Sequence, residues 1–158
     1  MDARVVIQSE DFNVAQIYAG LRADAGSDAG AIVTFVGLVR DRNAIAGDGS
    51  EVSTLTLEHY PGMTEQSIAA ILDEAQQRWP VPWMRVLHRV GELQPSEQIV
   101  LVMVGSAHRD AAFAAAEFIM DYLKTNAVLW KRELTREGEV WLEPTAQDAE
   151  RTNNWQQN

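Results

Sequence analysis

Cysteine is absent from the 158 residues, and lysine occurs only twice, at Lys124 and Lys131. The first absence excludes disulfides, thiolate metal sites, iron–sulfur ligation and any cysteine nucleophile or persulfide on this chain. Sulfur chemistry on it must therefore use sulfur brought by another molecule. The second scarcity is a chemical distinction. Every other basic side chain apart from three histidines is arginine, which stays charged, whereas a lysine amine can release its proton and attack a carbonyl or move a proton. A genome that favours arginine codons accounts for the scarcity equally well, so the count alone assigns no role.

Positive charge is also in deficit. Thirteen Lys and Arg stand against 23 Asp and Glu, for a net charge of −10 and a sequence pI of about 4.6. Bulk electrostatic affinity for nucleic acid or for an anionic membrane is excluded, and only a local basic pocket remains open. No apolar run is long enough to span a bilayer, and the N-terminal MDARVVIQSEDF carries acidic residues where a signal peptide has a basic region. The cytoplasm is the expected location. A Gly-rich phosphate loop, a nucleophilic serine elbow and a dinucleotide fingerprint are all missing. His59 and His88 fall on separate strands with no partner at ligand spacing, so neither a metal nor a cofactor is expected.

What is present suits one compact α+β domain, since 46% of the residues are hydrophobic. Strands are expected over 5–8, 31–39, 54–59, 85–90, 98–105, 128–134 and 139–142, with helices over 12–21, 65–79 and 109–125. The runs AIVTFVGLV and QIVLVMVG read as strands covered on both faces, and Gly37 inside the first marks a bulge or a close approach. Thr64 and Ser106 are the expected caps of the second and third helices. Trp130 and Trp141 are taken as apolar anchors of a closing strand pair. With no repeat or composition shift, the domain runs over 1–143. The tail 144–158 is polar and expected to be loosely held unless Trp155 docks.

Chemistry concentrates in SAHRDAAFAAAEFIMDYLKTNAVLWKRE, residues 106–133. His108 and Arg109 open a helix whose free N–H groups already favour an anion, which makes that turn a candidate phosphate or carboxylate site. A pairing of Arg109 with a carboxylate such as Asp110 or Glu58 is the competing explanation. Lys124 in the last helical turn is explained equally well by the helix dipole. Strand alternation puts Lys131 and Glu133 on one face and Trp130 and Arg132 on the other, so Lys131 and Arg132 should not share a pocket unless the strand bends. Arg40 and Arg42 edge a glycine-containing loop placed to close over an anionic ligand, with simple solvation of charged loop residues as the competing explanation.

The strings TFVGLVRDRN, LTLEHYPGMTE, HRVGEL, SAHRDAAF and FIMDYLKTNAVLWKRE resemble, in order and over about residues 4–143, the family of molybdopterin synthase catalytic (large) subunits. The resemblance implies a single-domain α/β hammerhead-type fold with a mixed sheet and flanking helices. It also implies a sulfurtransferase that converts cyclic pyranopterin monophosphate (precursor Z) to molybdopterin. The sulfur would come from the C-terminal Gly-Gly thiocarboxylate of a small ubiquitin-like subunit, around a homodimer at the centre of a heterotetramer. Carried onto this chain, it makes Lys124 and Lys131 catalytic, and Leu38, Val39, Arg40, His108, Arg109, Lys124, Lys131, Arg132 and Glu133 substrate-binding. Leu38 and Val140 depart from lysine and arginine found at those positions in some members, and the loop 44–51 has no assignment. The alternative is a non-catalytic module that binds the tail of a ubiquitin-like partner by strand addition.

Overall fold

The computed structural model describes residues 2–41, 52–136 and 138–158. Arg42 and the loop 44–51 lie outside them. Eight strands and four helices occur among the described residues, in the order β1 (Val5–Gln8), α1 (Val14–Ala25), β2 (Ala31–Leu38), β3 (Val52–His59), α2 (Met63–Arg78), β4 (Trp83–Arg89), β5 (Gly91–Leu93), β6 (Gln98–Ser106), α3 (Arg109–Thr125), β7 (Leu129–Thr135), β8 (Gly138–Leu142) and α4 (Ala146–Gln156). None of these helices is long and apolar enough to cross a membrane.

Two four-stranded sheets divide the strands, ordered β1-β4-β6-β2 and β5-β3-β7-β8. The first is mixed, because β1 runs parallel to β4 while β4–β6 and β6–β2 are antiparallel; the second is antiparallel throughout. β6 is buried along its length from Ile99 because its alternate residues feed two apolar layers. Val100, Val102 and Val104 face the main core with Ile68, Leu72, Phe118 and Ile119 of α2 and α3, while Leu101 and Met103 face Phe12 and Leu21 on the α1 side. The matching expectation for β2 does not hold. It is an edge strand among the described residues, and Phe35 and Leu38 are exposed. Gly37 does mark a bulge, with the register shifting between Gly37 and Leu38. A Cβ there would stand 2.7 Å from the Val100 side chain, so the residue also serves close approach.

The stretch 91–97, read as a plain turn, contains β5, which leaves the first sheet after Val90 and pairs with β3. Leu93 is fully buried there, and it joins Leu55 and Leu57 to the main core, so both sheets share one apolar centre. Arg89, 6% exposed, ties this junction together. Its guanidinium donates to the carbonyls of Ser9 at 2.9 and 3.1 Å and of Gln98 at 3.0 Å and pairs with Glu97 at 3.4 Å. Those bonds satisfy a buried cation without solvent.

Two caps differ from expectation. α2 starts from Gly62, whose N–H donates to Glu65 Oε2 at 2.7 Å. Thr64 lies two residues further in, fully buried, where its hydroxyl accepts from Tyr60 N at 2.9 Å and donates to the Val128 carbonyl at 2.7 Å. It therefore stitches α2 to the start of β7 instead of capping. α3 spans the predicted residues, but its N-cap is His108; Ser106 is buried and donates to the Pro80 carbonyl at 2.9 Å.

The expected loose tail is a helix. Thr145 and Asp148 exchange hydrogen bonds of 3.0 and 3.1 Å across its first turn. Trp155 packs edge-on against Trp79 and Phe118, with centroids 5.5 and 5.6 Å away, and donates from Nε1 to Asp121 Oδ2 at 2.8 Å. A polar helix is held because one indole supplies both apolar area and a donor.

Candidate functional site

The site is assembled from a sheet face, a helix end and one buried histidine. In the β3–β7–β8 ladder Lys131 stands opposite Leu57 and Leu142, and Glu133 opposite Leu55 and Val140. Directly opposed residues share a face, and Leu55 and Leu57 are buried. Lys131 and Glu133 therefore point inward, about 7 Å apart along the strand. Lys124 comes from the last turn of α3, where a cation is favoured. Burial, then the neighbouring charge of Lys124, lower the Lys131 amine from 10.5 to about 8, while Asp148 of α4 acts against them. At neutral pH this lysine is charged yet close to releasing a proton.

Glu133 adds an acid to the same face. Its Oε2 is buried without a hydrogen-bond partner among the described residues. Burial raises its pKa, and the charge of Arg40 acts in the opposite direction. Arg40 is exposed at the end of β2 and so brings a fixed cation to the Glu133 side. The arrangement offers two amines, a carboxyl and a guanidinium over a floor of leucines, which is suited to stabilising developing negative charge and moving protons.

His88 belongs here too, although the sequence reading set it aside as isolated. It is 4% exposed. Burial, with Lys131 and Lys124 adding to it, pushes its imidazole down from 6.5 to about 4 against the opposing effect of the Arg89 carbonyl. The available signal was alternation: Met84, Val86 and His88 fall on one face of β4, and the first two are core residues.

Other predicted residues lie elsewhere. Arg132 is on the outer face, as strand alternation requires, and does not share the inner face with Lys131 and Glu133. Its guanidinium meets Glu58 at 3.4 Å and Glu139 at 3.7 Å and sits 5.4 Å from the Trp141 ring centroid. Trp130 and Trp141 share that outer face and are 47% and 56% exposed, so they are surface groups and not core anchors. Val39 is buried, its N–H donating to the Glu97 carbonyl at 3.0 Å and its own carbonyl accepting from Ser96 N at 2.8 Å. Only its neighbours Leu38 and Arg40 are exposed.

His108 and Arg109 are not brought to the lysines within one chain. They sit at the start of α3 and Lys124 sits in its last turn, roughly 23 Å away at 1.5 Å per residue. The Arg109 side chain is 83% exposed, and its contact with Asp110 is a solvent-facing 3.9 Å. Such a pairing contributes little and leaves the guanidinium available. A groove of about 360 Å³ between α1 and the β1–β4 edge is lined by Val6, Ile17, Leu21 and the Arg85–Asp24 pair. It contains none of these groups.

The family model described as MoaE protein matches residues 7–126. The chain is 55% identical to the molybdopterin synthase catalytic subunit of Vibrio cholerae, over 99% of this chain and 100% of that protein. It is 49% identical to that of Escherichia coli, over 98% and 99%. Among solved structures it is similar to the molybdopterin biosynthesis MoaE protein from Burkholderia ambifaria, with a TM-score of 0.81 and 42% identity over 98% of this chain and 99% of that one. It is also similar to molybdopterin synthase from Staphylococcus aureus, with a TM-score of 0.78 and 31% identity over 90% and 98%.

Proposed function

This chain belongs to the MoaE protein family, and on that premise we propose that it is the catalytic subunit of a molybdopterin synthase acting as a sulfurtransferase on cyclic pyranopterin monophosphate. The sulfur arrives as the C-terminal thiocarboxylate of a small ubiquitin-like subunit, a division of labour that a chain without cysteine requires. The observation that carries the reading is the convergence of the only two lysines, from α3 and β7, at a face where one amine is lowered to about 8. The thiocarboxylate sulfur attacks a side-chain carbon of the pterin, forming a C–S bond as the C–O bond at that carbon breaks and its oxygen leaves protonated, while Lys124 and Lys131 stabilise the developing negative charge and deliver the proton. Water then cleaves the acyl–sulfur bond, frees the small subunit's carboxylate and leaves the sulfur on the pterin, and a second loaded subunit repeats the step.

The same reading takes the chain as a homodimer in which His108 and Arg109 of one copy hold the substrate phosphate beside the lysines of the other. Three features support it: the roughly 23 Å between the two groups within one chain, the solvent-facing Arg109 side chain with only a 3.9 Å contact to Asp110, and the position of β2 as an edge strand with Phe35 exposed. Purified Lys124→Ala and Lys131→Ala proteins, mixed with thiocarboxylated small subunit and precursor, are expected to fold and bind the subunit yet lose on the order of 10²-fold or more of dithiolene formation. Full activity in both variants removes the catalytic role and leaves a tail-binding module. An amine this close to an acyl group also predicts a minor isopeptide between Lys124 and the small subunit, visible by mass spectrometry.

A further inference from the structure

The string LTLEHYPGMTE, residues 55–65, closes β3 and opens α2, and it lends the site only the floor leucines Leu55 and Leu57. One further residue of it reaches the chain between the two lysines. The β3–β7 ladder ends with His59 opposite Leu129, so the next pair in that register is Tyr60 and Val128. The Thr64 hydroxyl joins this pair, accepting from Tyr60 N at 2.9 Å and donating to the Val128 carbonyl at 2.7 Å. Ser67, three residues on in α2, takes the other half of Val128: its Oγ accepts from Val128 N at 3.1 Å and donates to the Thr64 carbonyl at 2.8 Å. Both backbone groups of Val128 are thus held by α2 hydroxyls, and Thr64 is closed off from solvent.

Val128 belongs to the short link between α3 and β7, four residues after Lys124 and three before Lys131. The other backbone bonds of this link are local, from Asn126 N–H to the Tyr122 carbonyl at 2.7 Å and from Leu129 N–H to the Ala127 carbonyl at 2.9 Å. Among the described residues, Thr64 and Ser67 supply the hydrogen bonds that tie its backbone to a third element. We propose that Thr64, seconded by Ser67, is a positioning residue for the lysine pair: by holding Val128 at both backbone groups it sets where the chain leaves α3 and enters β7, and with that the separation of the Lys124 and Lys131 amines. A misplacement of about 1 Å at a reacting group costs up to about 10²-fold in rate, so two hydroxyls outside the site are enough to matter. The inference rests on the assignment of the lysines to sulfur transfer, but its first test does not.

With only two lysines in the chain, protein labelled with ¹³C at lysine Cε gives two resonances, assigned with Lys124→Arg. The Lys131 midpoint, near 8 in wild type, reports burial and the distance to Lys124, with Asp148 of α4 acting the other way. In Thr64→Val and in Ser67→Ala it should rise by about half a pH unit or more, because a freed link lets the amines part and water reach Lys131. Thr64→Ser, which keeps the hydroxyl, should stay at the wild-type midpoint. Ser67→Ala leaves the buried Thr64 bonds in place and covers the case in which Thr64→Val does not fold. A midpoint unmoved in every variant that folds, or moved as far in Thr64→Ser as in Thr64→Val, overturns the proposal whether or not the protein transfers sulfur. In the complete enzyme, the variants with a raised midpoint should lose about tenfold in the maximal single-turnover rate of dithiolene formation, while the half-saturating precursor concentration and small-subunit affinity stay within about twofold. Full rate despite a moved midpoint, or a loss confined to binding, also overturns it. A wild-type enzyme that forms no dithiolene sinks the sulfurtransferase reading instead and leaves the lysine titration to decide the positioning role.

Discussion

Lys131 is a buried amine that costs the folded state stability. Lowering a lysine from 10.5 to about 8 corresponds to at most about 3 kcal/mol of differential protonation energy. Below pH 8 both folded and unfolded chains hold the proton, and the folded state bears the whole cost. Between 8 and 10.5 only the unfolded chain is protonated, so stability rises with pH; above 10.5 the cost is gone. Lys131→Met should therefore be more stable than wild type by about 1–2 kcal/mol at pH 7, with the gap closing as pH rises from 8 towards 10.5. Urea titrations at pH 6.5, 8 and 10 measure it, and equal stabilities at pH 7 would show that the amine is not desolvated. The lysine pair itself was legible in the sequence because lysine is so rare here. His88 was not, because its burial in the core follows from a strand register that pairs it with Ile7 and Val100.

At the level of elements, α4 is small, polar and held by few groups. Trp155 meets the Trp79 and Phe118 rings and bonds Asp121, and Thr152, buried at 6% exposure, bonds the Asp121 carbonyl at 3.3 Å. Removing the indole deletes the aromatic contacts and leaves the Asp121 carboxylate without its donor, a loss of about 2–3 kcal/mol, comparable with the local stability of a surface helix. In Trp155→Ala, α4 amides should lose on the order of 30-fold or more of hydrogen-exchange protection while β6 amides keep theirs. The Lys131 midpoint should also fall, because Asp148 leaves with the helix. Unchanged exchange in α4 would place its anchor elsewhere. Legibility differed sharply between elements. α3 was read over its full length because an amphipathic alanine-rich run determines its own helix. β5 was missed because three residues, beginning at a glycine with φ of 89°, form a strand only by pairing with β3. The tail's helix was not read because it depends on one distant aromatic pocket, and docking of Trp155, the condition on which the tail would be held, is met.

For the whole molecule, the decisive length is that of α3. Its 17 residues hold an anion-favouring turn and a lysine at opposite ends, farther apart than an extended arginine and lysine can reach together, so a phosphate cannot touch both within one chain. The sequence suggested one pocket because position along a chain does not show that a helix keeps its two ends apart. If the working site is completed by a second copy, Arg109→Ala and Lys124→Ala lesions lie in the same site only when they sit on different protomers. Each homodimer is then inactive, but a mixed dimer has one doubly altered site and one intact site. Equal mixing with full exchange of protomers gives half mixed dimers, each with one good site of two, so about a quarter of wild-type dithiolene formation should return. Both parent proteins must first be shown to fold, dimerise and bind the small subunit. No recovery after verified exchange, with both parents inactive, would mean that each chain builds its phosphate site from its own residues, with Arg40 as the nearest remaining guanidinium on the Glu133 side.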